Sequence, residues 1–139
     1  QNIDGLHQQA GSKEVLELHG SIYRNYCMKC GKFWPAQEIA DSKGIPWCDC
    51  GGMIKPDVVL YEEALDNDVM RRAIEHIRKA DMMIVAGSSL VVYPAAGLIN
   101  YYKGHRLVLI NRSATPFDDQ ADLVVHDTIG KVFGAIEVR

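Results

Sequence analysis

The sequence lacks both of the glycine-rich fingerprints that usually mark phosphate-binding loops. Neither G-x-G-x-x-G nor G-x-x-x-x-G-K-[ST] occurs in its 139 residues. An excess of basic residues is also missing, since 15 Lys and Arg stand against 18 Asp and Glu. Direct nucleic-acid binding usually depends on a basic patch, so the composition gives no reason to expect it. Internal repeats and low-complexity linkers are absent as well, which favours one globular domain.

Targeting and membrane signals are equally scarce. The first thirty residues or so contain no basic segment followed by an apolar one, as a secretory signal would. The uncharged segment Met82–Tyr102 is long enough to span a bilayer, but Gly87, Pro94 and Gly97 interrupt it. A strand, a turn and a helix explain it better, and we expect a cytoplasmic protein without membrane contact. Because the chain starts at Gln1 without an initiator methionine, we also expect a fragment of a longer protein.

Apolar runs with the length of strands occur along most of the chain. The early candidates are "EVLEL" and "SIYRNY", and the later ones are "DVVLY", "MMIVAG", "RLVLIN" and "DLVVH". From Pro56 onward these runs alternate with amphipathic helices, which predicts a parallel sheet covered on both faces. The fold class is therefore α/β, with a small module inserted where cysteine, glycine and lysine replace the periodic apolar pattern.

Three helices are predicted in this second part. The first covers 65–80, where Asp66 or Asn67 can cap the start and apolar residues recur at helical spacing. The second covers 94–102 and begins at a proline, whose missing N–H is harmless in the first turn. The third follows Thr128 as its cap and is predicted to carry one apolar face, formed by Ile129, Val132, Phe133 and Ile136.

All four cysteines fall in one short region. They form a C-x2-C pair, Cys27 and Cys30, followed by a C-x-C pair, Cys48 and Cys50. Two close pairs at this separation are typical of a four-thiolate zinc site, although the second pair is one residue shorter than usual. Disulfides would need an oxidising compartment, which nothing in the sequence indicates. Four thiolates saturate a tetrahedral zinc ion, so we predict a structural metal that leaves no position for His19.

Polar residues follow three of the predicted parallel strands. "AGSSL", "INRSATPFD" and "HDTIG" stand at the carboxyl ends, where ligands bind in open parallel sheets. Gly87 allows close backbone approach, and Ser88, Ser89, Asn111 and Thr115 offer hydrogen bonds to phosphates and ribose hydroxyls. Each signal taken singly is weak, because a Gly-Ser-Ser turn is more often only a turn. Together they indicate a nucleotide-binding rim.

Six segments in this order resemble the sirtuin family of NAD-dependent protein deacylases, bacterial type. They are "QNIDGLH", "LHG", the two cysteine pairs, "KPDVVLYEE", "AGSSLVVYPAA" and "INRSATPFD". The resemblance covers the whole chain and matches the carboxyl-terminal half to two-thirds of such a protein. It implies a Rossmann-like domain and a small zinc domain with an active site in the cleft between them.

The resemblance implies a role for each matching residue. Residues 1–26 would form the active-site segment of the Rossmann-like domain, 27–55 the zinc module, and 56–139 the carboxyl-terminal part of the NAD-binding domain. His19 would be the catalytic base. NAD would contact Gln1, Asn2, Ile3, Asp4, Gly87, Ser88, Ser89, Asn111, Arg112, Asp127 and Ile129. The acyl-lysine of a protein substrate would contact Val59, Leu60, Tyr61 and Val92.

The implied reaction explains why a histidine stands in "LHG". In this family the acyl-lysine amide oxygen attacks the ribose carbon as nicotinamide leaves, and the products are free lysine, nicotinamide and O-acyl-ADP-ribose. A ribose hydroxyl must then be activated by a general base, and histidine is the side chain whose ordinary pKa lies near neutrality. The other four histidines, at 7, 76, 105 and 126, are interpreted as solvated or core residues.

Some family features have no counterpart in these residues. The upstream "GAG" phosphate loop and its central strand are missing, so we expect an exposed sheet edge, half of an NAD site and possible association with the missing amino-terminal part. "LYEE" also replaces the family's more frequent phenylalanine-glycine-glutamate ending. Two alternatives to deacylation stay open: a catalytically incomplete binding module, and an ADP-ribosyltransferase.

Overall fold

The computed structural model describes residues 1–137 and divides into two compact units after Met70. The predicted three-part domain assignment stays a prediction, and residues 138 and 139 at its end lie outside the described part. The helices and strands are, in chain order, α1 Leu6–Gln9, β1 Gly20–Cys27, β2 Phe33–Pro35, α2 Ala36–Ala40, β3 Ile54–Val58, α3 Asn67–Lys79, β4 Met83–Ala86, β5 Leu107–Ile110, β6 Leu123–Val125 and α4 Ile129–Gly134. Short 3₁₀ helices cover Ala95–Tyr101 and Asp118–Gln120.

The first unit contains an antiparallel sheet in the order β2-β1-β3. The pairing of β1 with β3 shifts between Ser21 and Asn25, which marks a bulge in the long central strand. Cys27, Cys48 and Ile54 form the buried core of this sheet, with Trp34 and Ile39 packed against them. The thiol cluster is thus also the hydrophobic centre of the small module.

The second unit contains a parallel sheet in the order β4-β5-β6. The central strand β5 is the most apolar and the most buried, and Leu109 is only 1% exposed. Leu109 packs with Leu90, Ile99, Leu107 and Phe117 in one core cluster. The fold class is confirmed: a parallel sheet and helices accompany a small cysteine module. Strand β4 forms one edge, as expected, and its Ile84 is 45% exposed.

Helix α3 starts where its sequence predicts. The Asp66 carboxylate accepts a hydrogen bond from the backbone amide of Val69 at 2.9 Å, which satisfies one of the unpaired amides of the first turn. Ala73 is buried, and the neighbouring apolar residues Met70, Ile74 and Ile77 are half-buried. The predicted cap and the predicted apolar face are both confirmed.

Several predicted elements differ from the structure. "EVLEL" forms no strand, and "DVVLY" is replaced by β3, which lies three residues earlier and ends at Val58. The strand stops there because the amide of Leu60 turns to the side chain of Glu63 instead of a neighbouring strand. The predicted helix at 94–102 is a 3₁₀ helix. Helix α4 ends at Gly134, before Ile136, and its predicted apolar face is exposed: Ile129 by 39% and Phe133 by 41%.

No helix within residues 1–137 has the length and apolar character that crossing a membrane would require.

Candidate functional site

His19 lies in a tight turn that leads from the amino-terminal segment into β1, beside the end of β3. Its Nδ1 atom is 3.0 Å from the carbonyl oxygen of Gln1, and its own carbonyl accepts the backbone amide of Val59 at 3.1 Å. Gly20 makes this turn possible, because it has a φ of 76° and a Cβ there would lie 1.8 Å from the Asp57 carbonyl oxygen. The half-buried imidazole therefore contacts a residue predicted to bind cofactor, while the His19 backbone is bonded to a residue predicted to bind substrate.

The "QNID" segment is hydrogen-bonded to β1. The carbonyl of Ile3 accepts the amide of Ile22 at 3.2 Å, and the carboxylate of Asp4 accepts the amide of Leu6 at 3.1 Å, just before α1. Asn2 lies between Gln1, which contacts His19, and Ile3, and its side chain is exposed. The structure thus brings Gln1, Ile3 and His19 together, while the roles of Asn2 and Asp4 stay predictions.

A group of charged residues beside this site was missed by the sequence reasoning. Arg24 donates to Glu17 at 2.6 Å and to Asp57 at 2.7 Å, and the hydrogen bond that Glu17 accepts raises the pKa of the Arg24 guanidinium. Together with Gln8 and Tyr23, it borders a cavity of about 370 Å³. The Gln8 amide donates to Glu17 at 2.8 Å, so the polar groups of the wall already satisfy one another. Arg24 reaches Asp57 because β1 pairs with β3, and no local sequence motif indicates this contact.

The four cysteine sulfurs form one cluster, and all lie within 4.8 Å of one another. Cys27 Sγ is 3.5 Å from Cys50 Sγ, and Cys30 Sγ is 3.7 Å from Cys48 Sγ. Four sulfurs around a tetrahedral zinc ion, each at about 2.3 Å, are separated by about 3.8 Å. The donor set and its spacing therefore fit a structural zinc ion, as the sequence predicts.

The local backbone favours negative charge on the cluster. Amides of the first knuckle, from Cys30 and then Lys29, donate to Cys27 and lower its thiol pKa to about 6. The neighbouring sulfurs, Cys30 first, raise the pKa of Cys50 to about 12, because a second thiolate would repel the first. A divalent cation removes this conflict. Gly52 allows the close approach, since a Cβ there would lie 2.6 Å from Cys27 Sγ.

The predicted nucleotide rim lies at the carboxyl ends of β4, β5 and β6. The amide of Gly87 donates to Ile110 at 2.9 Å, and the amide of Asn111 donates to Val125 at 3.1 Å. A Cβ at Gly87 would lie 2.5 Å from Ile129, so the glycine lets the start of α4 pack against the end of β4. Gly87, Asn111 and Ile129 therefore belong to one edge of the sheet.

The remaining rim residues surround this edge. The Ser88 hydroxyl accepts the amide of Leu90 at 3.2 Å, and the Asp127 carboxylate binds Lys131, which lowers the Asp127 pKa. Ser89 and Arg112 are exposed. Arg112 makes no ion pair within residues 1–137, and its guanidinium is available to an anion.

The predicted substrate residues divide between the two units. Val59 extends from β3, and Leu60 is 55% exposed and Tyr61 fully exposed in the turn that follows. Glu62 in this turn has a φ of 71°, a conformation that residues other than glycine rarely adopt. Val92, which is 50% exposed, precedes the 3₁₀ helix in the second unit. Their contacts with a substrate stay predictions.

These features describe an α/β protein with a cysteine cluster suited to a structural metal, a fixed histidine beside β1 and a polar edge at the carboxyl ends of the parallel strands. The model of the Sir2 family matches residues 1–94. The chain belongs to the Sir2 family, the sirtuins, and the resemblance stated above is confirmed.

Relatives and solved structures agree with this assignment. The chain is 63% identical over 138 residues to an NAD-dependent protein deacetylase of Clostridium perfringens, covering 98% of this chain and 57% of that protein. It is 53% identical over 137 residues to an NAD-dependent protein deacetylase of Cutibacterium acnes, covering 99% of this chain and 56% of that protein. A Sir2–p53 peptide–NAD+ complex matches with a TM-score of 0.88 and 44% identity over 95% of this chain and 57% of that one. Sir2Tm bound to a propionylated peptide matches with a TM-score of 0.89 and 43% identity, over 95% of this chain and 58% of that one. The chain thus spans a little over half the length of these proteins.

Proposed function

We propose that this chain carries the catalytic histidine, the zinc module and part of the NAD site of an NAD-dependent protein-lysine deacetylase. The observation that carries the proposal is the placement of His19. Its ring contacts Gln1 of the "QNID" segment, and its carbonyl is bonded to Val59 of the substrate strand. A base held between these two segments can reach a ribose hydroxyl and an acylated lysine bound side by side. The names of the relatives, NAD-dependent protein deacetylases, support the same reaction.

When bound, NAD would supply the acceptor of the acyl group; NAD, the acyl-lysine and one water molecule would give nicotinamide, O-acyl-ADP-ribose and free lysine. The protein's own part is to orient and to move a proton. His19 accepts the proton of the ribose hydroxyl as that oxygen takes up the acyl carbon, and the Gln1 carbonyl fixes the plane and tautomer of the ring by accepting from Nδ1. Nε2 is then the atom that receives the proton.

Acyl-lysine binding is proposed for the exposed strand and turn after β3. Val59 uses its amide to bond His19, so its carbonyl and side chain stay available to a peptide lying alongside, as in strand addition. Leu60 and Tyr61 would supply apolar surface for the lysine stem and acyl group, and Val92 of the second unit is a further proposed contact of the acyl-lysine. The solved relatives bind acetylated and propionylated peptides, which supports short acyl groups.

The cofactor is proposed to bind along two groups of residues. Asn2, Ile3 and Asp4 would face the nicotinamide riboside, and the rim at Gly87, Ser88, Ser89, Asn111, Arg112, Asp127 and Ile129 would hold the phosphate and adenosine side. The exposed guanidinium of Arg112, at the carboxyl ends of the parallel strands, suits an anionic ligand. Clustered cysteines that hold a metal, in place of disulfides, are typical of a reducing compartment, which supports a cytoplasmic location.

Product analysis tests this proposal. The chain is incubated with NAD labelled in the adenine ring and a peptide carrying an acetylated lysine, and the products are separated. Label in O-acetyl-ADP-ribose with equimolar free lysine and nicotinamide is the expected result. Label attached to protein would instead show ADP-ribosyl transfer. A folded, zinc-containing chain that forms neither product would show that these residues bind without turnover.

A further inference from the structure

His126 follows β6 at the carboxyl end of the parallel sheet and contacts two neighbouring segments. Its Nδ1 atom lies 3.2 Å from the carbonyl oxygen of Asn111, directly after β5. Its Nε2 atom lies 3.4 Å from a carboxylate oxygen of Asp118, in the second 3₁₀ helix. The His126 ring therefore connects the ends of β5 and β6 to the second 3₁₀ helix, which follows β5 in the chain.

Both ring nitrogens face oxygen atoms that can only accept a hydrogen bond. A neutral imidazole carries one N–H, so one of its nitrogens would present a lone pair to an oxygen. The imidazolium carries two N–H groups and satisfies both contacts. Asp118 is ionised at neutral pH because hydrogen bonds from Thr115 lower its pKa, with a smaller contribution from the charge of His126.

The other charged groups near this ring are engaged or differently placed. Asp127, the next residue, is bound to Lys131 of α4. Arg112, which follows Asn111, and Asp119, which follows Asp118, are both exposed. Among the ion pairs of the described residues, Asp118 is the partner of His126. The proton on Nε2 therefore controls this connection.

The contact bears on the shape of the Asn111 turn. The Asn111 amide donates to Val125 at 3.1 Å, its side chain donates to the Ser113 carbonyl at 2.8 Å, and its carbonyl faces His126. We propose that His126 is a positioning residue for the nucleotide: its imidazolium holds the 111–113 turn in the form that receives the adenosine-side phosphate. This inference rests on the proposed NAD site and adds a residue that does not itself touch the ligand.

The expected effect is modest because the contact is near the surface. The His126 and Asp118 side chains are 48% and 21% exposed, and exposed ion pairs contribute little. We expect ADP-ribose to bind about two- to fivefold more tightly at pH 6 than at pH 8.

Isothermal titration of the chain with ADP-ribose at both pH values tests the proposal. The variant His126→Gln should bind as the parent does at pH 8 and should lose the gain at pH 6. His105→Gln, which changes an exposed histidine in the loop before β5, is the matched control and should keep the gain. A gain that survives in His126→Gln, or a parent with no gain, would overturn the proposal.

A second measurement separates this inference from the proposed function. Without nucleotide, the backbone amide signals of Asn111 and Ser113 should shift with pH in the parent and stay constant in His126→Gln. Constant signals in the parent would remove the link itself. Shifting signals in a parent that binds no ADP-ribose would contradict the nucleotide site, and would leave His126 as a structural contact only.

Discussion

The carbonyl oxygen of His19 accepts the backbone amide of Val59 at 3.1 Å. This bond joins the end of β3 to the turn that presents the imidazole, just where β3 leaves its pairing with β1. The predicted base and the predicted substrate strand therefore move as one unit. Anything that shifts the turn at His19 and Gly20 also shifts the surface on which an acylated peptide would lie.

Gly20→Ala should disrupt this connection. The new Cβ would lie 1.8 Å from the Asp57 carbonyl oxygen, at a φ of 76°. Two unfavourable effects coincide, and we expect a loss of at least about 2 kcal/mol in the free energy of unfolding. Urea denaturation measures it. Gly130→Ala in α4, where no atom lies within 4 Å of the new methyl group, is the control and should be neutral or stabilising by up to about 1 kcal/mol. Equal stability of Gly20→Ala and the parent would show that the turn has a different form.

Removal of the metal should unfold the small module. Zinc bound to four thiolates is expected in one equivalent per chain, and Cys27→Ser should abolish it because Cys27 is a buried member of the cluster. Metal content by mass spectrometry and near-ultraviolet circular dichroism report both effects. Met28→Ala alters the adjacent, 66% exposed side chain and should retain the metal. Equal zinc content in Cys27→Ser and the parent would refute the assignment.

Glu62→Gly should stabilise the turn after the substrate strand. Glu62 has a φ of 71°, and glycine adopts this conformation without the cost that other residues incur. We expect a gain of up to about 1 kcal/mol in thermal or chemical unfolding. Glu63→Gly should instead lower the free energy of unfolding, because the Glu63 carboxylate accepts hydrogen bonds from the Leu60 amide and the Lys55 ammonium. A destabilised Glu62→Gly would mean that the carboxylate of Glu62 has a structural partner.

Asp118 should make the second unit sensitive to acid. The Thr115 hydroxyl, more than the charge of His126, lowers the pKa of this carboxyl group. A lowered pKa stabilises the fold above the unfolded value, near 3.9, and that contribution is lost as pH falls through the folded value. Asp118→Ala should therefore be less stable than the parent at pH 7, with the difference shrinking below about pH 4. Asp119→Ala, an exposed neighbour, should show no such convergence. A constant difference for Asp118→Ala across the acid range would refute the coupling.

Predictions from the sequence were most accurate where a local rule decides the structure. The spacing of the four cysteines alone predicts a metal site. Asp66 likewise predicts the start of a helix. The central strand β5 was predicted from its apolar run because a strand buried on both faces needs one.

Features that depend on pairing between distant segments could not be predicted. The ion pair of Arg24 with Asp57 exists only because β1 lies beside β3. The end of β3 at Val58 depends on the turn that Glu63 closes, and the left-handed Glu62 gives no signal in the sequence. The apolar side of α4 was expected to be covered, yet Phe133 is 41% exposed.

Release of nicotinamide from NAD in the presence of an acetyl-lysine peptide tests the central claim most directly. The parent chain is compared with His19→Ala and with His7→Ala, a control histidine on the exposed α1. The account predicts release that depends on the acetyl group, persists in His7→Ala and falls at least about a hundredfold in His19→Ala. Release that is unchanged in His19→Ala, or its absence from a folded, zinc-containing parent, would contradict the claim that His19 is the catalytic base of a deacetylase site in this chain.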